Sequence, residues 1–343
     1  MIDLRSDTVT LPTAAMLEAM THATLGDDVY GEDPTVADLE QHTAQILGKE
    51  AGLFVPSGTM GNLCAMLAHC ARGSRVLVGS ESHIFRYEGG GASVLGGLML
   101  DPVHNLDDGG LDAAELEAAL DSPDDPHVAP AGMLALENTH NRCGGKVLDA
   151  ARVARLADAA HERAIPVHVD GARLFNAAAA LGVSARSLVT TGDSVQVCFS
   201  KGLSAPVGSM LLGTTAFIHR ARRIRKMLGG GMRQAGVLAA ACRVALDGMV
   251  HRLADDHARA RRLASALSDL GSSFDVLEPA SNMVFVRARN ADGAIARVVS
   301  GLRENGVLAS AVDGVRLRVV LHAGIGDEDV ERAIAVFAKV LAG

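Results

Sequence analysis

Apolar and polar residues along this chain follow two alternating patterns, which together predict strands connected by helices. Short runs rich in aliphatic residues predict strands at 75–79, 93–98, 132–137, 165–170, 194–200 and 207–213. Between them, apolar residues recur every three or four positions, as in 111–120 and 149–163, which is typical of amphipathic helices. This alternation predicts an α/β fold, with a mostly parallel sheet between helices.

The last third of the chain predicts a second, smaller unit. A glycine triplet at 229–231 precedes a long helical pattern over 232–270, which we interpret as a bridge. The order that follows is strand, helix, strand, helix, over 282–287, 291–305, 315–321 and 327–341. We therefore predict a large domain over 1–246 that includes an N-terminal arm, and a small α+β domain over 247–343.

Composition and charge narrow the class of protein. The 343 residues are 48% hydrophobic but only 3% aromatic, which predicts an aliphatic core around a buried sheet. The net charge of −8 repels phosphate backbones and anionic lipid surfaces, so neither nucleic acid nor a membrane is an expected partner. The basic run at 219–226 is interpreted as a solvated helix face. No apolar run approaches the roughly 20 residues needed to cross a bilayer.

The five cysteines form no C-x-x-C pair and lie in apolar or strand-like surroundings. This distribution indicates reduced thiols rather than disulfides or zinc ligands. The chain start also lacks the basic-then-apolar order of a signal peptide. The expected location is therefore the cytoplasm.

Two residues with suitable chemistry follow predicted strands. Lys201 comes directly after the run at 194–200, and Asp170 ends the run at 165–170. Ligands of α/β proteins bind at the carboxyl ends of the strands. A lysine that can form an imine and a carboxylate that can hold a protonated pyridine nitrogen are what pyridoxal 5'-phosphate (PLP) requires from a protein. The alternatives are a surface turn for Lys201 and a helix cap for Asp170.

A phosphate site is predicted where Ser57, Gly58 and Thr59 join a β-like run to an apolar helix, because small residues let an anion approach the helix start. An ordinary helix start is the alternative. No G-x-G-x-x-G follows a strand, and neither Gly-Lys pair precedes Ser or Thr, so dinucleotide and Walker sites lose support. His168 and Asp170 share one strand face, but no second cluster completes a metal site, and none is predicted.

Several segments together resemble one family. They are DLRSDTVT at 3–10, GDDVYG at 26–31, PSGTM at 56–60, ENTHN at 137–141, HVDGARLF at 168–175, SKGLSAPVGS at 200–209 and GGGMRQ at 229–234. With this set the chain resembles the L-threonine aldolases, including the low-specificity and L-allo-threonine enzymes, over nearly its whole length. The resemblance implies the PLP-dependent fold type I, the fold of aspartate aminotransferase.

The resemblance also implies roles for individual residues. For catalysis it implies Lys201 as the imine-forming lysine, Asp170 as the pyridinium partner, His83 stacked on the ring, and His127 near the β-hydroxyl. For cofactor binding it adds Gly58, Thr59, Ser200, Arg173, Tyr30, Lys226 and Arg233. For the substrate carboxylate it implies Ser6, Arg173 and Arg318, with Arg316 as the alternative to Arg318. Tyr30, Lys226 and Arg233 would act across a subunit interface, which implies a homo-oligomer, a tetramer built from dimers with shared active sites.

The activity implied by the resemblance is cleavage of L-threonine, L-allo-threonine and related β-hydroxy-α-amino acids to glycine and an aldehyde. Either His83 or His127 would take the hydroxyl proton while the Cα–Cβ bond breaks. The alternatives are a β-eliminating lyase or an aminotransferase of the same fold, and a PLP-binding protein without catalysis.

Overall fold

The computed structural model describes residues 1–121, 125–270, 273–289 and 293–342. The α-helices in these ranges are α1 (Ala14–Thr21), α2 (Pro34–Leu47), α3 (Gly58–His69), α4 (His83–Tyr87), α5 (Gly91–Gly96), α6 (Ala113–Leu120), α7 (Ala150–His161), α8 (Leu174–Leu181), α9 (Thr215–Met227), α10 (Gly236–Gly248), α11 (Leu253–Ser268), α12 (Ala294–Glu304) and α13 (Asp327–Ala342). The strands are β1 (Ile2–Asp3), β2 (Ala51–Val55), β3 (Arg75–Gly79), β4 (Met99–Val103), β5 (Ala131–Glu137), β6 (Val167–Gly171), β7 (Ser194–Cys198), β8 (Ser209–Gly213), β9 (Phe274–Leu277), β10 (Met283–Ala288), β11 (Val307–Leu308), β12 (Ser310–Ala311) and β13 (Arg316–Val320). None of the helices within these ranges combines the length and the apolar character needed to span a bilayer.

A seven-stranded sheet, here the large sheet, forms within the described residues in the order β2-β8-β7-β6-β5-β3-β4. The pairs from β4 to β7 are parallel, and β8 pairs antiparallel with both β7 and β2. Strands β3, β6, β7 and β8 are buried along their whole length, as expected for the inner strands of a sheet that lies between helices. The predicted mostly parallel α/β architecture is confirmed.

A second, antiparallel sheet, here the small sheet, has the order β12-β13-β10-β9 among the described residues. Helices α11 and α12 pack against it, and α13 packs against both helices. The first residues of the chain join this part of the molecule, since β1 pairs in parallel with β11. The division into domains at 246/247 stays a prediction.

Local signals explain where several helices begin. The side chain of Asp33 accepts hydrogen bonds from the backbone of Thr35 and Val36, and Pro34 occupies the first helical position of α2. The Asp112 side chain accepts from the backbone N–H of Glu115 and starts α6 at the predicted place. These caps satisfy N–H groups that have no partner inside their own helix.

The strand predicted at 93–98 is wrong, because α5 occupies this stretch and β4 follows it. In α5 the buried residues Ala92 and Gly96 are four positions apart, whereas Val94 is 78% exposed. This spacing places one face of a helix against the core. Gly97 then ends the helix in the left-handed conformation, with φ of 61°.

The long helical pattern over 232–270 forms two helices rather than one. The chain turns at 249–252, between α10 and α11. Helix α10 packs against α1 and α2, beside the large sheet, whereas α11 packs against α13 and β10 of the small sheet. One straight helix could not bury its apolar face in both cores, so the turn is required by packing.

Candidate active site

A cavity of about 400 Å³ lies between the large sheet, the N-terminal segment and the small sheet. It is here called the central cavity. Five residues singled out in the sequence line it, namely Ser6, His83, Arg173, Lys201 and Arg318. Arg316, the alternative to Arg318, is not among the lining residues. The structure therefore brings together residues that are up to 312 positions apart in the sequence.

Asp170 and Lys201 both lie at the carboxyl edge of the large sheet, Asp170 on β6 and Lys201 just after the neighbouring strand β7. Glu137, Asp170 and Gln196 lie in register on β5, β6 and β7. Lys201 follows the end of β7 in a tight turn, where its carbonyl accepts from the hydroxyl of Thr10 at 3.1 Å and from the backbone N–H of Ser204 at 2.8 Å. These bonds fix the backbone that carries the lysine.

A buried ion pair forms one wall of the central cavity. Arg173 donates from Nε and Nη2 to the two carboxylate oxygens of Asp7 at 2.7 and 2.6 Å. Burial raises the pKa of Asp7, but the charge of Arg173, with that of Lys201 and Arg318, outweighs burial and lowers the pKa to about 2. Asp7 is therefore ionised at neutral pH, and Nη1 is the nitrogen of Arg173 that the pair leaves for another acceptor.

Arg318 brings a second guanidinium to the same wall. It donates to the side chain of Asn141 and to the carbonyl of Arg5. Its Nε is buried and has no hydrogen-bond partner within the described residues. Burial and the charge of Arg173 lower the pKa of Arg318 to about 10. The two guanidinium groups of Arg173 and Arg318 share the single carboxylate of Asp7, which leaves an excess of positive charge that suits an anionic ligand.

Asp170 lies near the carboxyl end of β6 and is almost fully buried. Its carboxylate accepts from the side-chain amide of Asn62 at 2.9 Å and from the backbone N–H of Ala172 at 3.1 Å. Polar atoms of His83, Glu88 and Asp170 all lie within 4.8 Å of one another. Burial lowers the pKa of His83, but the hydrogen bond to Glu88 and the charges of Asp170, Glu88 and Glu137 outweigh it, so the pKa lies above its ordinary value.

The start of α3 fits the phosphate of PLP. A Cβ atom built on Gly58 would lie 2.9 Å from Sγ of Cys198, and one on Gly61 would lie 2.7 Å from Cγ of Gln196. Glycine at both positions thus lets the helix start lie directly against β7. The first N–H groups of a helix have no partner within it and attract anions. With an amine at Lys201 and a carboxylate at Asp170, the residues present fit PLP.

His127 is not brought to the central cavity. Its side chain is 89% exposed, and Nδ1 lies 2.7 Å from a carboxylate oxygen of Asp125. The preceding residues, 122–124, lie outside the described ranges. Its role at the β-hydroxyl stays a prediction.

Tyr30, Lys226 and Arg233 also lie away from the central cavity. Tyr30 is 75% exposed, and the guanidinium of Arg233 lies 6.0 Å from its ring centre. Lys226 lines a second cavity, of about 430 Å³, together with Val29 and Gly231. Thr59 is exposed and Ser200 is partly exposed, beside Lys201. The roles of all these residues stay predictions.

Comparison with known proteins identifies the family. The family model described as beta-eliminating lyase matches residues 3–291. The chain is 44% identical over 344 residues to low-specificity L-threonine aldolase 1 of Arabidopsis thaliana, covering 99% of this chain and 96% of that protein. It is also 44% identical to the low specificity L-threonine aldolase of Escherichia coli O157:H7, over the whole of both chains. The chain belongs to the threonine aldolase family.

A solved structure shows the same fold. Threonine aldolase from Leishmania major has the same fold, with a TM-score of 0.84 and 20% identity over 99% of this chain and all of that one. The predicted family, the predicted fold type I and PLP as cofactor are thus confirmed, and the chain is a PLP-dependent lyase.

Among the residues that sequence reasoning missed, three support the site of this threonine aldolase family member. Asp7, Asn62 and Glu88 are buried and hydrogen-bonded to Arg173, Asp170 and His83. Asp7 lies inside the matching segment at 3–10, which was a usable signal. Asn62 lies within α3 and Glu88 directly after α4, and neither belongs to a segment that the sequence singled out.

Proposed function

We propose that this chain cleaves L-threonine, L-allo-threonine and related β-hydroxy-α-amino acids to glycine and an aldehyde. The observation that carries the proposal is the central cavity, where Lys201, His83 and the two guanidinium groups of Arg173 and Arg318 face one space. The names of the two relatives at 44% identity support the same substrate class.

The residues that would hold PLP are Lys201 through its amine, Asp170 at the ring nitrogen, His83 beside the ring, and Gly58, Thr59 and Ser200 at the phosphate. When bound, PLP supplies an electron-withdrawing ring that stabilises negative charge at the Cα atom of an amino acid. Asp170 would keep a proton on the ring nitrogen, because a buried carboxylate favours the charged form of its partner.

The arginines determine which substrate bond can break. The guanidinium groups of Arg173, with Nη1 left free by Asp7, and of Arg318 line the cavity and would bind the substrate carboxylate, with Ser6 nearby. A carboxylate fixed at two points cannot rotate about the Cα atom. The side chain of the substrate is then held in one orientation, so that Cα–Cβ rather than Cα–H is cleaved.

His83 is the base that the described residues favour. Its Nδ1 lies 2.9 Å from Glu88, which leaves Nε2 to take the proton of the β-hydroxyl. As that O–H bond breaks, the oxygen forms the carbonyl of the aldehyde and the Cα–Cβ electron pair stays on Cα. Protonation of Cα then yields glycine. Imidazole titrates near neutrality, and although burial lowers the pKa of His83, the hydrogen bond to Glu88 and the neighbouring carboxylates outweigh burial and raise the pKa from its ordinary value, as suits a base.

Arg318→Ala is expected to raise KM for L-threonine roughly ten- to a hundredfold with a smaller change in kcat. A charge-assisted hydrogen bond to a carboxylate contributes about 1.5–3 kcal/mol, which corresponds to that range. Steady-state kinetics measures it. Arg316→Ala is the matched control, because Arg316 lies on the same strand and bonds to Asp313 and to the carbonyl of Arg142 but does not itself line the cavity. An equal rise in KM in both variants would contradict the assignment of Arg318.

Product analysis tests the proposed reaction. The PLP-loaded enzyme is incubated separately with L-threonine, L-allo-threonine and L-phenylserine, and the products are separated by chromatography. Glycine with acetaldehyde, or with benzaldehyde for phenylserine, supports the proposal. The family description favours β-elimination as the second candidate. A 2-keto acid with ammonia, in the absence of glycine, would support that candidate and reject ours.

The proposal includes a homo-oligomer, a tetramer built from dimers with shared active sites. It is supported by Tyr30 and Met227, which are 75% and 69% exposed near the basic side chains of Lys226 and Arg233. Aromatic and arginine side chains that are exposed on one subunit are typical of interfaces. A cytoplasmic location also belongs to the proposal, supported by five cysteines that all carry free thiols.

Mixing two inactive variants tests whether subunits share a site. If Arg233 completes the site of the partner, a Lys201→Ala subunit paired with an Arg233→Ala subunit contains one intact site. Unfolding and refolding the mixture should then restore about a quarter of wild-type activity, as expected for random pairing in a two-fold dimer. Activity no higher than the sum of the separately refolded variants would show that Arg233 does not act across an interface.

A further inference from the structure

His83 is held by a carboxylate that the proposed reaction does not use. His83 is the first residue of α4, and its backbone N–H donates to the carboxylate of Glu137 on β5 at 2.6 Å. Glu88 directly follows this five-residue helix, and Oε1 of its side chain lies 2.9 Å from Nδ1 of His83. The side chain of Glu88 is only 5% exposed, whereas that of His83 is 33% exposed and faces the central cavity. The ring is thus anchored at one nitrogen and open at the other.

One amide links this carboxylate to Asp170. Nδ2 of Asn62 donates to Oε1 of Glu88 at 2.8 Å and to Oδ2 of Asp170 at 2.9 Å. Two buried carboxylates this close would repel each other, and the two N–H groups of a single amide stabilise both. Asn62 lies on α3 and is almost fully buried, so the amide has little freedom to move away.

The orientation of the Asn62 amide is determined by the hydrogen bonds behind it. Its nitrogen faces two carboxylates, which only accept, so its oxygen faces Nε2 of His168 at 3.0 Å and accepts from it. Nδ1 of His168 must then accept from the hydroxyl of Ser194 at 2.8 Å. That hydroxyl accepts in turn from Nε2 of His69, also at 2.8 Å. Every group in this series of hydrogen bonds has a defined donor or acceptor role.

Both histidines behind Asn62 are neutral. Burial lowers the pKa of His168 to about 3 and that of His69 to about 4. A neutral imidazole has one donor and one acceptor nitrogen, as the chain of hydrogen bonds requires. The amide of Asn62 is therefore fixed from the core side at any physiological pH.

We propose that Glu88, held by Asn62, is the positioning residue of His83, fixing the ring so that Nδ1 faces the carboxylate and Nε2 faces the substrate. This inference rests on the proposed function, since it assigns His83 as the base. Oε2 of Glu88 is buried and has no hydrogen-bond partner within the described residues. A buried carboxylate with one oxygen unpaired is costly, and its retention next to a base indicates a role beyond stability.

The charges around His83 come from three elements. Asp170 lies on β6, Glu137 on β5, and Glu88 at the end of α4, while the ring of Tyr87 lies 5.5 Å away. Burial raises the pKa of Glu88, and the charge of Asp170 adds to this effect, so Glu88 and His83 compete for one proton. Removing the Glu88 charge should therefore change the titration of His83 directly.

The first experiment measures the pKa of His83 by NMR in cofactor-free enzyme with labelled histidine. Glu88→Gln keeps the shape of the side chain and removes its charge, so the pKa of His83 is expected to fall by about one unit or more. The signal of His42, whose partner is Asp247, serves as an internal reference that should not move. Neither cofactor nor substrate is present, so this result does not depend on the proposed reaction.

The second experiment measures the pH profile of kcat/KM for L-threonine in the PLP-loaded enzyme. A base must be neutral, so activity is lost as the pH falls through its pKa. With Glu88→Gln the acid limb should move to lower pH by the amount that the NMR shift gives, with kcat reduced and KM little changed. Glu88→Asp keeps the charge but is one methylene shorter. Compared with Glu88→Gln, it should recover part of the lost pKa of His83 and a smaller part of the lost kcat.

Glu40→Gln is the matched control. Glu40 is also a largely buried carboxylate, bonded to Arg222 and to the backbone of Phe54, but it lies on α2 outside the central cavity. It should leave the pKa of His83 and the acid limb unchanged. If Glu88→Gln fails to fold, Glu88→Asp carries the test, with a pKa of His83 below the wild-type value. A folded Glu88 variant with an unchanged pKa and acid limb would overturn the proposal. A shifted pKa of His83 in Glu88→Gln, together with a wild-type enzyme that makes no glycine, would keep the positioning role and reject the reaction.

Discussion

Lys201→Ala is expected to abolish turnover of L-threonine and to remove the absorbance band that PLP shows when it is bound to a lysine. The amine of Lys201 is the nucleophile that the central cavity presents, and alanine offers no replacement. The carbonyl of residue 201 accepts from the hydroxyl of Thr10 and from the backbone N–H of Ser204. Neither bond needs the lysine side chain, so the fold should survive the change. Circular dichroism, absorbance and product analysis of the purified variant measure the three properties.

Lys49→Ala is the control for this experiment. Lys49 is also partly buried, and it donates to the carbonyls of Val189 and Gly192 at a distance from the cavity. It should keep both the absorbance band and the activity, with a modest loss of stability. A Lys201→Ala enzyme that retains the band and a measurable rate would show that another lysine binds the cofactor.

Asp170→Asn is expected to lower kcat by at least about a hundredfold while PLP still binds. A neutral amide cannot hold a proton on the ring nitrogen, so the ring withdraws electrons poorly from Cα. The substitution also brings a new N–H₂ group into a position that now accepts from Asn62 and Ala172, so one donor will face another. Affinity for PLP should fall less than kcat does, and cofactor titration followed by single-turnover kinetics separates the two.

Asp101→Asn tests whether the effect is specific. Asp101 lies on β4 of the same sheet, and its carboxylate pairs with Arg75 away from the cavity. This variant should retain wild-type kcat. Nearly normal cleavage by Asp170→Asn, with bound PLP, would remove Asp170 from the proposed mechanism.

The fold could be predicted where local pattern and burial agree. The strand at Arg75–Gly79 was predicted with its observed bounds, because five consecutive buried residues leave an uninterrupted run. The strand predicted at 93–98 is wrong because Val94 and Leu95 are typical strand residues, yet they lie on the exposed face of helix α5. The turn at 249–252 was also missed, since only the presence of two separate cores requires it.

The site could be predicted where reactive side chains lie at the ends of predicted strands. Lys201 is visible because it directly follows a predicted strand and Asp170 because it ends one, and the family resemblance adds Ser6, His83, Arg173 and Arg318. The pairs that support these residues are remote in the sequence. Asp7 meets Arg173 across 166 positions and Asn62 meets Asp170 across 108, so only the folded chain shows them.

Reduction with borohydride followed by peptide mass spectrometry tests most directly whether the central cavity is the cofactor site. The reagent converts the bond between PLP and its lysine into a stable amine, which marks that residue. We predict a single modified peptide, the one that contains Lys201. Stoichiometric modification of another lysine, such as Lys226 in the second cavity, with Lys201 unmodified, would contradict the account.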